Sequence, residues 1–410
     1  MSGSSCLSVY SEIGTLRRVL LHRPNGELDN MTPESMGRLL FDDLPDPTIA
    51  AAEHDAFAKA LRDNGVEILY LEDLMAEVLS NLDVRARFLD EFLSEGRILL
   101  DKAVYFKDYF MQVTDPVRLI RQLISGLRKE DFAELRFPLE FVDNDYPMVI
   151  DPLPNMYFTR DPFSVIGNAV SINSMFSRAR RREPLFAEYI FEHHPQFNSS
   201  VKRLYSHRNS PFLEGGDILI LNKDVIAIGI SERTETMAIE TVAKNIFTSE
   251  TGFKHILAFK IPSKRAFMHL DTVFTMIDRG TFTIHPDVEG VLVVYDITWD
   301  NGLKVRQLEG RLEDMLKGYL ELDAITLVRC GGGSAIDAQR EQWNDASNTL
   351  AIAPGVAVVY GRNHVTNRLL EEAGVTLIKI PSSEISRGRG GPRCMSMPLL
   401  RDRIPGDAAD

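Results

Sequence analysis

The chain has 410 residues, 44% of them hydrophobic and 26% charged, an ordinary globular composition that can bury a substantial core in one large domain or two to three smaller ones. Forty-six basic against 59 acidic side chains give a formal charge of -13, which repels phosphate backbones overall and mildly favours a small cationic ligand. No basic start leads into an apolar stretch at the N-terminus, and no segment approaches the roughly 18 uninterrupted apolar residues of a membrane span, so a cytoplasmic protein with neither membrane nor nucleic-acid partners is expected.

Short apolar runs rich in β-branched residues and bounded by turn residues recur along the chain, at 17–22, 66–71, 169–173, 217–221, 225–230, 255–261, 291–297, 324–328, 356–360 and 375–380. Amphipathic helical stretches separate many of them, which predicts a mixed α/β class. The exception is 74–147, where helical patterning runs almost without a strand. Val84, Phe88, Leu89, Phe92 and Leu93 form one apolar stripe. After Asp115-Pro116, a cap with proline at the first helical position, Leu119, Ile120, Leu123, Ile124 and Leu127 form another. Both read as core packing, and the segment reads as a helical insertion. Around it, one pattern occurs three times, at 169–191, 225–246 and 356–373: a strand, a polar stretch with arginine, then a helix. The latter two follow a preceding strand through short turns, giving ββα units and so a repeated module.

Four stretches carry the chemistry. PNMYFTRDPF (154–163) reads as a loop that offers Asn155, Arg160 and Asp161 as polar groups and Phe158 as a flat apolar face; its bland reading pairs Asp161 with Arg160. FLEGGDILI (212–220) starts a strand with Glu214 followed by paired glycines, which admit another backbone or a ligand. Apolar neighbours there should raise the Glu214 pKa if it is buried. MHLDT (268–272) has the look of a buried strand, with His269 and Asp271 on one face. RGRGGPRCMSMP (387–398) sets Cys394 among glycines and arginines. A nucleic-acid-binding tail would repeat such glycine-arginine units, but only one occurs and it runs into an apolar, strand-like segment.

Cys6, Cys330 and Cys394 are odd in number and lack metal or framework spacing, so structural disulfides are not expected, and Cys6 and Cys330 read as incidental. His193, His194 and His207 suggest a zinc site, but no HxxxH or CxxC spacing supports it. What remains is a thiol with nearby arginines, a histidine, and carboxylates at Asp161, Glu214 and Asp271. A guanidinium is planar, carries five N–H donors and stays protonated, so carboxylates match it bidentately. A thiolate can attack its central carbon once the plane is fixed.

With these residues assembled, the sequence resembles the arginine deiminases, a branch of the guanidine-modifying (pentein) superfamily. The resemblance runs from YSEIGTLRRVLLHRP (10–24) through PNMYFTRDPF, FLEGGD, SERT (231–234) and MHLDT to RGRGGPRCMSMP, in fixed order over essentially the whole chain. It implies a five-bladed α/β propeller of ββαβ modules around a pseudo-five-fold axis. Residues 1–73 and 148–410 would form the catalytic domain and 74–147 an inserted helical subdomain. It implies hydrolysis of free L-arginine to citrulline and ammonia through a covalent S-alkylthiouronium. Cys394 would be the nucleophile, His269 the general acid and base, Asp161 and Asp271 the guanidinium grips, and Glu214 the carboxylate that orients the group and the histidine. Asn155, Arg180 and Arg233 would bind the amino acid's own carboxylate and amino group, Phe158 would lie near the substrate plane, and Gly388 and Arg389 would sit on a mobile loop beside the cysteine. No metal or organic cofactor is implied, and a homo-oligomer is expected. The alternatives are an agmatine deiminase, which has no use for Arg180 and Arg233 as carboxylate binders, an amidinotransferase, and a non-catalytic arginine sensor.

Overall fold

The computed structural model describes residues 6–98, 100–132, 146–197, 201–264, 266–290 and 292–404. Residue 291 of the expected strand 291–297 and the stretch 133–145 of the expected insertion lie outside them.

Five sheets repeat one plan. A first strand pairs antiparallel with a second, a helix follows, and a third strand pairs parallel with the second, as a parallel neighbour requires a crossover. In chain order the middle strands are Leu16–Leu21, Ala169–Ile172, Val225–Ile230, Thr281–Ile284 and Val356–Tyr360. Their antiparallel partners are Met397–Arg401, Phe163–Ile166, Ile218–Ile220, Phe274–Asp278 and Leu350–Ala353. Their parallel partners are Glu67–Tyr70, Lys202–Tyr205, His255–Lys260, Thr326–Arg329 and Thr376–Ile380. The first module is completed by the end of the chain, with Val19 opposite Pro398 and Leu20 opposite Met397. The third sheet is extended by Val293–Trp299 and Leu303–Gln307.

Burial falls across each sheet. Phe163–Ile166 and Ile218–Ile220 are buried throughout, whereas Glu67–Tyr70 has no fully buried residue. The antiparallel partners are thus the inner strands. Neighbouring sheets touch along these strands: Met397–Arg401 packs on Phe163–Ile166, and Leu350–Ala353 packs on both Phe274–Asp278 and Leu16–Leu21. A middle strand such as VIAIGI is covered on both faces, which explains its unbroken apolar run.

All ten predicted strands are present, and the span expected to be helical carries Leu71–Leu79, Leu82–Glu95, Leu100–Met111 and Pro116–Ser125. The first of these straddles the expected boundary at residue 74. Asp115 caps the last one, its carboxylate accepting from the Val117 and Arg118 amides at 3.0 and 3.3 Å. The two predicted stripes are buried, each large side chain contributing about 1.5–3 kcal/mol on removal from water. Phe88 meets Phe186 and Tyr189 of the second module's helix edge-on, at centroid distances of 5.3 and 5.0 Å.

Candidate active site

Each inner strand is entered through a tight turn, and four of these turns hold the residues singled out above. Asp161 precedes Phe163–Ile166, Glu214 precedes Ile218–Ile220, His269 and Asp271 precede Phe274–Asp278, and Cys394 precedes Met397–Arg401. MHLDT is therefore not a strand: Leu270–Thr272 is one turn of 3-10 helix. The apolar flanks that suggested a strand are explained by burial of the turn itself. Glu214 likewise stands before its strand, separated from it by the turn Gly215–Asp217. PNMYFTRDPF is a loop, as expected, and opens with a 3-10 turn over Pro154–Tyr157. The paired glycines do admit close neighbours, since a Cβ on Gly216 would lie 2.5 Å from His269 Nδ1.

The turns of Asp161, His269 and Cys394 help wall a cavity of about 20 Å³ lined by Asn155, Phe158, Asp161, Arg180, Arg233, His269, Gly388, Arg389 and Cys394, together with Leu40 and Met268, which sequence reasoning missed. Glu214 and Asp271, both 0% exposed, stand directly behind it. A volume of this size holds about one water, less than a free amino acid needs. A larger cleft of about 600 Å³ beside Asp29, Arg118 and Arg128 contains neither cysteine nor histidine.

His269 Nε2 lies 2.8 Å from Glu214 Oε2, and its Nδ1 lies 3.8 Å from Asp161. Burial works against its positive charge, but Asp161, Glu214 and Asp217 outweigh burial and raise its pKa to about 9, so the ring is an imidazolium near neutral pH. The expectation that apolar surroundings raise the Glu214 pKa is wrong. Burial does push it up, but the Arg233 charge and the hydrogen bond and charge of His269 prevail and hold it to about 2. Its other oxygen accepts the Phe176 amide at 3.0 Å. Asp161 pairs with Arg180 at 2.7 Å, not with Arg160, and Arg180 also reaches Glu183 at 2.8 Å. Arg160 instead turns its Nε to the Arg393 carbonyl at 3.3 Å.

Cys394 Sγ lies 3.7 Å from Asp271 Oδ2. Burial first, then the charges of Asp271, Asp161 and Asp345, push the thiol well above its ordinary range, against the opposing pull of Arg393. Arg393 is itself buried, donating to Asp271 at 2.8 Å and to both Glu12 oxygens at 3.0 and 3.1 Å. Arg389 sets its guanidinium 3.7 Å from the Trp343 ring centroid and 3.5 Å from Asp42. Gly388 and Gly390 let the loop lie on Phe158, where a Cβ on either would run into the ring.

Sequence reasoning missed the fifth turn. Asn348, before Leu350–Ala353, accepts the Cys394 amide at 3.0 Å and donates to the Asp271 carbonyl at 3.2 Å. It also missed Asp217, which accepts from the Leu270 amide at 2.8 Å. The available signal was positional: a polar residue one to five places before each inner strand. Cys330 is buried with its thiol pushed up by burial to about 11 and Cys6 is half-buried, both free. His193, His194 and His207 pair with Glu192, Glu77 and Glu188 respectively and form no cluster. Among the described residues, Asp161, Glu214 and His269 alone offer ligand atoms within 4.8 Å of one another. Arg180 and Arg233 already oppose those carboxylates, which suits an organic cation better than a metal ion.

The family model for arginine deiminase matches residues 37–401. The chain belongs to the arginine deiminase family. An arginine deiminase of Streptococcus pneumoniae (strain Hungary19A-6) is 50% identical over 404 residues, covering 97% of this chain and 99% of its own. One from Streptococcus uberis (strain ATCC BAA-854 / 0140J) is 49% identical, covering 98% and 100%. The fold is shared more widely than the sequence. An amidinotransferase from Microseira wollei, SxtG, superposes with a TM-score of 0.57 at 14% identity, covering 97% of this chain and 98% of its own. The inosamine-phosphate amidinotransferase StrB1 of Streptomyces griseus gives 0.55 at 13%, covering 98% of each. The architecture of this arginine deiminase family member is therefore the α/β fold of those amidinotransferases. Among its described residues no helix is long and apolar enough to cross a membrane.

Proposed function

We propose that the chain hydrolyses free L-arginine to L-citrulline and ammonia at Cys394, within five ββαβ modules that close as a propeller around a pseudo-five-fold axis, with 74–147 as a helical insertion. The observation that carries this is the convergence of three inner-strand turns on one cavity, backed by Glu214 of a fourth through His269, which brings a buried thiol, an imidazolium and three carboxylates together with Asn155, Arg180 and Arg233. Family membership and near-full-length identity of about half support the activity.

The substrate guanidinium enters between Asp161 and Asp271, and its charge offsets the carboxylates that keep the thiol protonated, so that the bound substrate helps form the thiolate. Sulfur attacks the guanidinium carbon and the C–N π bond opens to a tetrahedral adduct. His269, protonated and held by Glu214, gives a proton to the departing nitrogen, and ammonia leaves with the C–N bonding pair. The S-alkylthiouronium that remains is attacked by water, which the now neutral His269 deprotonates. Collapse breaks the C–S bond, releasing citrulline and returning the thiol. No metal or organic cofactor is needed for this balance.

Asn155, Arg180 and Arg233 take the substrate's carboxylate and amino group, with Phe158 along its plane and the Gly388–Arg389 loop closing over it. Arg180 must first release Asp161, on which it now sits, so substrate entry exchanges one guanidinium for another. These two arginines favour free arginine over agmatine. Covalent capture followed by mass spectrometry tests the intermediate: rapid acid quenching during arginine turnover should show an amidino adduct on the Cys394 peptide, and turnover with no adduct at that peptide would exclude this nucleophile.

A further inference from the structure

We propose that Asn348 is a positioning residue for the reaction, fixing the nucleophile-bearing turn against the turn that carries Asp271; this rests on Cys394 being the nucleophile. The repeat places Asn348 where the other four modules place their site residues, and like Glu214 and Asp271 it lies outside the cavity lining. It instead spans two of the other turns. Oδ1 accepts from the Cys394 N–H at 3.0 Å, Nδ2 donates to the Asp271 carbonyl at 3.2 Å, and the residue is 0% exposed. The Cys394 carbonyl is held from the opposite side by the Arg160 amide at 3.1 Å. With both peptide groups of Cys394 anchored, the sulfur keeps only rotation about its own Cα–Cβ bond.

Asn348 is itself held. The carbonyl of the preceding residue, Ser347, accepts from Thr275 and Thr283 hydroxyls at 2.7 and 3.1 Å. The Asn348 amide donates to the Asp345 carbonyl at 3.0 Å. Its Cβ and carbonyl also abut Gly391, where any side chain would collide with them. One primary amide therefore sets the spacing between the attacking sulfur and the carboxylate that grips the guanidinium. An amide is suited to this because it offers a donor and an acceptor side by side without adding charge beside the thiol.

Asn348→Leu is nearly isosteric and removes both hydrogen bonds. Its kcat for arginine should fall about 10²-fold, the scale of a misplacement near 1 Å, with KM changed less than about threefold. Asn348→Asp keeps the acceptor, and its carboxyl regains a donor on protonation, so its rate relative to the unsubstituted enzyme should climb as pH falls. Alkylation of Cys394 by 2-chloroacetamidine, which carries an amidinium, reads the same geometry without turnover and should slow about 10²-fold in Asn348→Leu. An Asn348→Leu kcat within about threefold of the unsubstituted enzyme, equal alkylation rates, or a pH-independent Asn348→Asp ratio overturns the proposal. Should Asn348→Leu not fold, the Asn348→Asp ratio decides. If the unsubstituted enzyme releases no citrulline from arginine, the proposed activity fails by itself, and the alkylation contrast still tests Asn348.

Discussion

Replacing Asp271 by asparagine should make the Cys394 thiol more acidic and, at the same time, cripple turnover. The Asp271 carboxylate lies 3.7 Å from the sulfur. Two unit charges that far apart, at an effective dielectric constant near 20, repel by roughly 4 kcal/mol, or about three pKa units. Asp271→Asn removes that repulsion and leaves Arg393 facing the sulfur with its two bonds to Glu12 intact. The thiol, now pushed well above its ordinary range, should drop by about two to three units. The assay is the pH dependence of alkylation by iodoacetamide, a neutral reagent that gains nothing from the carboxylates. The midpoint is the informative quantity, because burial of the sulfur lowers the rate without setting the midpoint. Arginine turnover should fall by at least about 10²-fold in the same variant, since one side of the guanidinium clamp is gone. A midpoint that stays put or rises would refute the claim that carboxylates hold the free enzyme's thiol protonated.

Other expected outcomes follow from single contacts. Asp161→Ala, made in a Cys394→Ala background to block turnover, should weaken arginine binding by about 2–5 kcal/mol in calorimetry, because the substrate guanidinium loses a buried charged partner; unchanged affinity would remove Asp161 from the grip. Gly390→Ala would drive a methyl into the buried Phe158 ring, so KM should rise at least about tenfold alongside an overpacking loss of about 1–3 kcal/mol in stability, and an unaltered KM would place the loop outside substrate binding. His22 is buried between Glu27 and Glu72, each 2.9 Å away. Burial opposes its charge, but Glu72 and Glu27 prevail and raise its pKa to about 10. Its ion pairs therefore stabilise the fold fully below about pH 6.5 and fade as pH rises through 10. His22→Gln should cost about 3–5 kcal/mol at pH 6.5, less toward pH 10, by urea unfolding; a gap constant with pH would contradict this charge assignment.

Most middle and outer strands were legible because they carry unbroken β-branched runs, as in VIAIGI, but the middle strand Thr281–Ile284 and the outer strand Lys202–Tyr205 were not; the helices within 71–125 were legible because their apolar stripes keep helical spacing. Of the inner strands, only Ile218–Ile220 was among the predicted runs. LAIA is short, FTMID carries threonine and aspartate inside a buried sheet, and MPLLR contains Pro398, tolerated because that strand is an edge. The site residues were named from their motifs, yet their local structure was misread at MHLDT and FLEGGD, where burial comes from the turn and not from a strand. The low Glu214 pKa could not be read either, since Arg233 and His269 reach it only through the fold. Asn348 has no motif of its own and becomes visible only when the fifth turn is laid beside the other four.

The most direct test of the central claim is the release of citrulline and ammonia from free L-arginine, run beside agmatine and beside Cys394→Ala. Equal amounts of both products from arginine, little from agmatine, and none from the variant while it still binds arginine are expected. Turnover surviving in Cys394→Ala, or arginine bound by the intact enzyme with neither product formed, would contradict it.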